Sequence, residues 1–415
     1  MKQKDYDIKV VEDMGNSEQV LRLSIGDYKE EIKQPNVFSE EFDFDTVGDK
    51  PDTQLIENLM DDLFVFINSS AIRLAGNYYI GRAALEHSGE VVSNMRAGKD
   101  LKSESDIPVV NTLGVLAGKA VQRAFKEDNE IPDSINLTVD FITALPVTEY
   151  KRDGAKEKLQ EKFMNGVHEV VVYVGKKKVK VEIGFEFVFV SPEGTAAVFS
   201  IVDKKNKERT KKLLSEFVKE YEGMTEDKAL EELENGRILH VDIGEGTTEL
   251  PITQKYNFDD KKADGINIGI AVAINKALTR FREEQGFPTL SRQKYSEYLK
   301  YPKQYPEFHS VAMNYIRQTV KGPYRQVLDA IKDQLDSVYN EVDIVMVYGG
   351  GSILMKEIMY DALKEELAGR RMGKIKVLWV PTELATTMNA DGLERLFYNN
   401  FYNKIKSAKL ESAKK

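Results

Sequence analysis

The feature that most constrains this chain is a repetition. Two short strand-like runs, far apart in the sequence, each end in an aspartate, pass through a turn of glycine and small polar residues, and resume as a second strand-like run. The first copy runs from Tyr6 to Val11, turns through Glu12-Asp13-Met14-Gly15-Asn16-Ser17 and continues with apolar and polar residues alternating from Gln19 to Ile25. The second runs from Arg237 to Val241, turns through Asp242-Ile243-Gly244-Glu245-Gly246-Thr247-Thr248 and continues from Glu249 to Thr253. Each copy reads as a β-hairpin, and duplication of a hairpin implies two homologous halves. A chain of 415 residues has room for both, because single hydrophobic cores stop growing at about 250–300 residues.

Such turns have a chemistry. Successive backbone N–H groups pointing into a glycine-rich turn form a cradle for phosphate, with no Cβ to block the approach. Two turns facing each other, Asp13, Gly15, Asn16 and Ser17 on one side and Asp242, Gly244, Gly246, Thr247 and Thr248 on the other, would grip a polyphosphate. Mg²⁺ that accompanies phosphates takes one or two carboxylates and keeps most of its waters, which makes Asp13 and Asp242 the candidate metal ligands. Either aspartate alone is explained as the start of a tight turn; the repetition shifts that balance.

Two further segments are candidates. Val347-Tyr348-Gly349-Gly350-Gly351-Ser352-Ile353 joins an apolar strand to a helix. Gly349, Gly350 and Gly351 permit close approach of a flat ligand such as a base or ribose, and the helix N-terminus at Ser352 favours anions. A plain tight turn explains the same residues. Glu149 follows the strand Ser134 to Thr143 in Ala144-Leu145-Pro146-Val147-Thr148-Glu149-Tyr150. A carboxylate there can orient a water for in-line attack on a terminal phosphate. On residue types alone the preferred reading is a helix end, with Thr148 as cap and Glu149 complementing the dipole.

The remaining pattern predicts helices over Asn111 to Phe125, Thr148 to Phe163, Ile268 to Glu284, His309 to Tyr339 and Ala385 to Phe397. It predicts strands over Glu169 to Val174, Val179 to Val190, Thr195 to Val202, Asp343 to Tyr348 and Lys376 to Val380. The charge-rich stretch Lys204 to Gly236, with a narrow stripe of Leu213, Leu214, Phe217 and Val218, reads as a helical crossing that lies largely on the surface. The lysine-rich end, Lys404 to Lys415, reads as a frayed, solvated tail.

Composition excludes several classes. Hydrophobic residues at 41% and charged residues at 31% are those of a globular protein. No run of about 18 apolar residues is present, and the charged start, Met1 to Lys9, has no apolar segment behind it, so the expected location is cytoplasmic with no membrane contact. The absence of cysteine excludes disulfides, thiolate metal sites and cysteine nucleophiles. No Gly-x-x-x-x-Gly-Lys-Ser/Thr loop occurs, which disfavours a P-loop NTPase. His87, His168, His240 and His309 lack metal-ligand spacing. A net charge of −9 argues against direct nucleic-acid binding, which needs clustered Lys and Arg.

Together, Asp13 to Ser17, Asp242 to Thr248 and Tyr348 to Ser352 resemble the phosphate-1, phosphate-2 and adenosine motifs of the actin, Hsp70 and sugar-kinase superfamily. Asn111 to Ala120 and Asp264 to Ile274, with Gly265 and Gly269, resemble its connecting helices. Leu145 to Tyr150 is similar to a motif of the ParM-type plasmid-segregation actins and their archaeal relatives, as is Asn77 to Gly81; Met388 to Leu393 resembles their terminal Asn-x-x-Gly-Leu helix. The resemblance implies an α/β, actin-like fold of two related RNase H-like domains with a nucleotide cleft between them. The implied boundaries are 1–203 for the first domain with a small inserted subdomain, 204–236 for the crossing, and 237–383 for the second domain. A terminal helix over 384–400 would pack back on the first domain, with a basic tail at 401–415.

The implied function is an ATP (alternatively GTP) hydrolase requiring Mg²⁺, with Glu149 and Asp242 as catalytic residues. It would form filaments with itself and move plasmid DNA through a small DNA-binding adaptor. In that family the glutamate matching Glu149 helps activate the hydrolytic water, which reverses the helix-end reading. A small-molecule kinase on the same fold, or a cytoskeletal actin-like protein with another cargo, is the alternative; the segment after the first hairpin has no obvious sugar-contacting Asp or Asn cluster.

Overall fold

The computed structural model describes residues 2–42, 50–87, 91–96, 98–201, 206–255, 257–259 and 261–413. Ten strands form the first sheet: β1 (Gln3–Met14), β2 (Glu18–Ile25), β3 (Tyr28–Pro35), β4 (Val37–Glu41), β5 (Phe64–Asn68), β6 (Gly76–Ile80), β7 (Ser93–Asn94), β8 (Ser134–Leu145), β9 (His168–Val174) and β10 (Lys177–Pro192), in the order β3-β2-β1-β8-β10-β9-β5-β6-β4-β7. Seven form the second: β11 (Arg237–Ile243), β12 (Thr248–Leu250), β13 (Ile252–Gln254), β14 (Asn257–Phe258), β15 (Asp264–Ile266), β16 (Ile344–Tyr348) and β17 (Lys376–Trp379).

The two sheets share one plan. β1 pairs antiparallel with β2, with Asp13 opposite Val20, and parallel with β8, which is in turn parallel to β10. β11 pairs antiparallel with β12 and β13, with Asp242 opposite Glu249, and parallel with β16, which is parallel to β17. β12 and β13 act as one hairpin strand interrupted at Pro251, a residue with no N–H to give the ladder. The order of hairpin strand, first strand and two parallel strands thus occurs twice. It carries the sequence repetition into three dimensions and places both aspartates at equivalent positions.

Helices cover both faces of each sheet, so the central strands of the second sheet are buried nearly throughout and those of the first are buried toward their C-terminal ends, as parallel strands between two helical layers require. All five residues of β16 are buried. On the first sheet the helix Ile107–Asp128 packs Val109, Leu113, Leu116 and Val121 against Ile8, Val10 and Val139. The opposite face carries the helix Met388–Phe397, whose Leu393, Leu396 and Phe397 meet Val11, Ile142 and Phe187. The second sheet packs one face against the helices Ala271–Gln285, Lys321–Ser337 and Gly350–Ala368. Its other face is covered by the helices Lys207–Glu220 and Glu226–Asn235.

Several local expectations are corrected. The stretch expected to cross on the surface buries Leu213, Leu214, Phe217 and Leu233 against Ile344, Met346 and Leu378, while its lysines and glutamates face outward. The strand expected from Thr195 is a turn followed by the helix Ala197–Ile201, and Val202 lies outside the described residues. Its apolar run reflects burial against helices rather than a pleat. The helix expected over His309 to Tyr339 is two helices, Pro306–Thr319 and Lys321–Ser337. Pro323 has no N–H to continue the first one and sits in the opening turn of the second, where none is needed. The segment after β8 likewise divides, into Val147–Tyr150 and Ala155–Met164. The expected frayed tail is, as far as Ala413, a helix, Asn400–Ala413, which buries Tyr402 beside Phe187 and Phe397 and pairs Lys406 with Asp140 at 2.6 Å; Lys414 and Lys415 lie outside the described residues.

Candidate functional site

Both hairpin turns are held from behind. In the first, the Gly15 N–H donates to the Asp13 carbonyl at 3.1 Å, and Asn36 donates its backbone N–H to Ser17 O and its side-chain amide to Gly15 O, each at 2.8 Å. A Cβ on Gly15 would stand 2.3 Å from Glu18 O, so the turn tolerates no side chain there. In the second, the Gly244 N–H donates to Thr247 O at 2.9 Å. The Gly244 and Glu245 carbonyls accept the N–H groups of Ile270 and Ala271, at the start of the helix Ala271–Gln285, at 3.1 and 2.9 Å. Thr248 donates its hydroxyl to Ile268 O at 2.7 Å, and Arg292 forms an ion pair with Glu245. Thr248 is therefore engaged with its own half, whereas Asn16 and Thr247 line a narrow cleft of about 40 Å³ together with Lys99, Lys102, Thr148 and Glu149.

Gly349 to Ser352 lie behind the second hairpin and do not line this cleft. Gly349 has φ of +87°, and a Cβ there would stand 2.5 Å from both Asp242 Oδ1 and Ile243 O. A Cβ on Gly351 would stand 2.5 Å from Ile243 Cγ2. Gly349 and Gly351 are required by packing against the Asp242 strand, whereas Gly350 has space beside it. Ser352 is fully buried and donates its hydroxyl to Gly349 O at 2.8 Å, closing the start of its helix.

Glu149 is placed differently from a helix-end residue. Its short helix begins after Pro146 with no side-chain cap, and Thr148 lies inside it. The carboxylate, 2% exposed, turns into the cleft and accepts two consecutive backbone N–H groups, from Lys102 at 3.0 Å and Ser103 at 2.7 Å. Each oxygen keeps a further lone pair.

Around it gather carboxylates that the sequence did not single out. Glu12, Glu193 and Glu249 are buried near Asp13 and Asp242, and Lys102, 4% exposed, is the ammonium among them, paired with Glu193. Burial and the neighbouring acids lift Asp242 and Glu193 to about 7, Glu12 to about 8 and Glu249 to about 8. Asp13 is raised by burial, against the pull of Lys102 and Arg22. Asp242 accepts a hydrogen bond from the Asn389 amide at 2.7 Å, Glu12 from the Thr112 hydroxyl at 2.8 Å, and Glu249 from the Val147 N–H at 2.8 Å. The last bond ties the second half to the helix that carries Glu149. Of these partners Asn389, Thr112 and Val147 lie in segments that carried a motif in the sequence, although none was named there as a partner of a buried acid. His168 and His240 are buried and bonded to Ser69 and Thr253, away from any ligand role.

This arrangement concentrates negative charge where it is costly and supplies one internal cation. No three His, Cys, Asp or Glu residues among the described ones are arranged to cage a metal. A cation that uses one or two carboxylates together with phosphate oxygens fits such a donor set; a dedicated all-protein cage does not.

No sequence-family model matches the chain, and no curated protein matches it in sequence. Solved structures do match over nearly the whole chain. The actin-like protein Alp7A aligns with a TM-score of 0.61 and 17% identity, covering 99% of this chain and 100% of its own. Bacillus thuringiensis ParM with AMPPNP aligns with a TM-score of 0.55 and 14% identity, covering 94% and 97%; the same ParM also matches in its ATP and ADP structures. Ta0583, an archaeal actin homologue, aligns with a TM-score of 0.54 and 16% identity, covering 94% and 98%. The chain therefore has a ParM-like, actin-family fold.

Proposed function

We propose that this chain is an actin-like ATPase that polymerises with Mg-ATP bound between its two hairpins and depolymerises after hydrolysis. The observation that carries the reading is the placement of Glu149. A buried carboxylate, gripped through both oxygens by backbone N–H groups, lies in the same cleft as the turns of both hairpins. Catalysis of phosphoryl transfer is mostly positioning and electrostatics, and Glu149 is the group able to orient a water. Asp13 and Asp242 would hold Mg²⁺ with the phosphates, and the ion would neutralise charge on the terminal phosphate. Asp13, Gly15, Asn16 and Ser17 on one side and Gly244, Gly246, Thr247 and Thr248 on the other supply the turns; Gly350 leaves space toward the base. ATP is the first choice of nucleotide, since ParM matches carry AMPPNP, ATP and ADP; GTP is the alternative.

Self-assembly is supported by a further matching ParM, described as a non-polymerisable quadruple mutant, which implies a parent that polymerises. Head-to-tail contacts of that kind give open filaments rather than rings. Loss of the phosphate that bridges the hairpins would let the halves rotate and loosen the polymer. The cargo in this reading is plasmid DNA, reached through a DNA-binding adaptor because the chain is acidic, and the setting is the cytoplasm. Pelleting with Mg-ATP, with Mg-ADP and with a non-hydrolysable analogue tests it. Polymer is expected with ATP and the analogue and less with ADP. Phosphate release without polymer under any nucleotide would sink the filament reading, and turnover only on addition of a metabolite would favour a kinase.

A further inference from the structure

The two N–H groups that grip Glu149 come from a loop between β7 and the helix Ile107–Asp128. Loops hold catalytic groups less precisely than strands or helices do, so the grip needs an anchor. The Lys102 side chain provides one. Its ammonium is buried and pairs with Glu193, and burying two long charged side chains is favourable only when their geometry is well satisfied. Glu193 is itself fixed, because its backbone N–H donates to Leu145 O, the last residue of β8, at 2.7 Å. Two residues beyond Leu145 begins the helix Val147–Tyr150 that carries Glu149. The connections close a ring: from the end of β8 to Glu193, from the Glu193 carboxylate to the Lys102 ammonium, from the Lys102 and Ser103 peptides to Glu149, and from Glu149 back to β8.

We propose that Lys102, pinned by Glu193, is a positioning residue that fixes the orientation of the Glu149 carboxylate. The proposal rests on Glu149 acting as the water-orienting group. Lys102 acts through its peptide and needs no contact with the nucleotide. The loop that carries Lys102 also reaches the second half, since Gly98, upstream in it, lies against Asn267 O, where a Cβ would stand 3.0 Å away.

The test is a set of variants assayed for single-turnover ATP cleavage, ATP affinity and pelleting, with folding checked by thermal melting. Lys102→Met should slow cleavage about ten- to a hundredfold, the cost of a displaced reacting geometry, with ATP affinity within about threefold of the parent. Glu193→Gln should do less, because its amide oxygen still accepts from Lys102. Lys102→Met/Glu193→Gln, which removes both charges and leaves no buried ion unpaired, should match Lys102→Met rather than add to it, as expected for residues acting as one unit. In a Glu149→Ala background, Lys102→Met should slow cleavage less than about twofold further. A full additional slowing there would mean that Lys102 acts on the nucleotide directly and would overturn the positioning role. So would a normal rate in the folded double variant while Glu149→Ala is slow. If Glu149→Ala itself cleaves ATP normally, the water-orienting role of Glu149 fails first, and that result is read separately.

Discussion

Asp242→Asn should make the nucleotide-free protein more stable at alkaline pH while removing its ability to bind Mg-nucleotide. Asp242 is 5% exposed and lies close to Asp13 and Glu193. Burial, and then these acids, outweigh the Asn389 hydrogen bond and Lys102, lifting its carboxyl from an ordinary 3.8 to about 7. At about 1.4 kcal/mol per pH unit, ionising it in the folded protein costs about 4 kcal/mol more than in the unfolded chain. The sign follows from linkage: a folded-state value above the unfolded one gives stability that is complete below about pH 4 and is lost as pH rises through about 7. Asparagine carries no such cost, and its side-chain oxygen can still accept from Asn389. Relaxation and water entry reduce the full figure, so a gain of about 1–2 kcal/mol at pH 8 is expected. Denaturant unfolding at pH 5 and pH 8, with and without Mg-ATP, measures it. The parent should gain stability from Mg-ATP through selective binding to the folded state, and the variant should not. A variant less stable than the parent at pH 8, or one still stabilised by Mg-ATP, would refute the reasoning.

Glu149→Ala should bind ATP and polymerise but release phosphate at least about tenfold more slowly, giving long-lived filaments in a time-resolved light-scattering assay. Gly349→Ala should destabilise the fold by about 2–4 kcal/mol in denaturant titration, combining a left-handed backbone with a clash on Asp242 and Ile243. Asp391→Ala should cost about 3 kcal/mol, because it leaves Arg22 and Arg209, each 2.6 Å from its carboxylate, facing each other part-buried. Burial pushes the Asp391 carboxyl up, yet Arg22 and Arg209 together hold it below its ordinary value. Its contribution should therefore be present above about pH 4 and lost as pH falls further, which acid titration of the parent and the variant compares.

What could be read from the sequence is local. The hairpins announce themselves because a phosphate-cradling turn needs glycine and small polar residues within a few positions, and two copies are hard to mistake. Residue types alone favoured a helix end for Glu149, and only the family resemblance suggested a catalytic role; the Lys102 and Ser103 peptides that hold its carboxylate are far from it in the chain. Lys102 itself lies in a charged loop indistinguishable by composition from any solvated turn, and Glu193 follows an unremarked proline. Their pairing is a product of chain crossing. The triple glycine carried a second role that composition hides: Gly349 and Gly351 also let the protein approach itself at the Asp242 strand. Ala197–Ile201 was misassigned because a short apolar run buried all round carries no period to separate strand from helix.

The central claim is that nucleotide held between the Asp13 and Asp242 hairpins controls assembly. Negative-stain imaging of the protein with Mg-ATP and with Mg-ADP, alongside Asp242→Asn, tests it most directly. Filaments should form with Mg-ATP, be sparse or absent with Mg-ADP, and be absent for the variant with either nucleotide. Filaments that form equally without nucleotide, or equally well for Asp242→Asn, would contradict it.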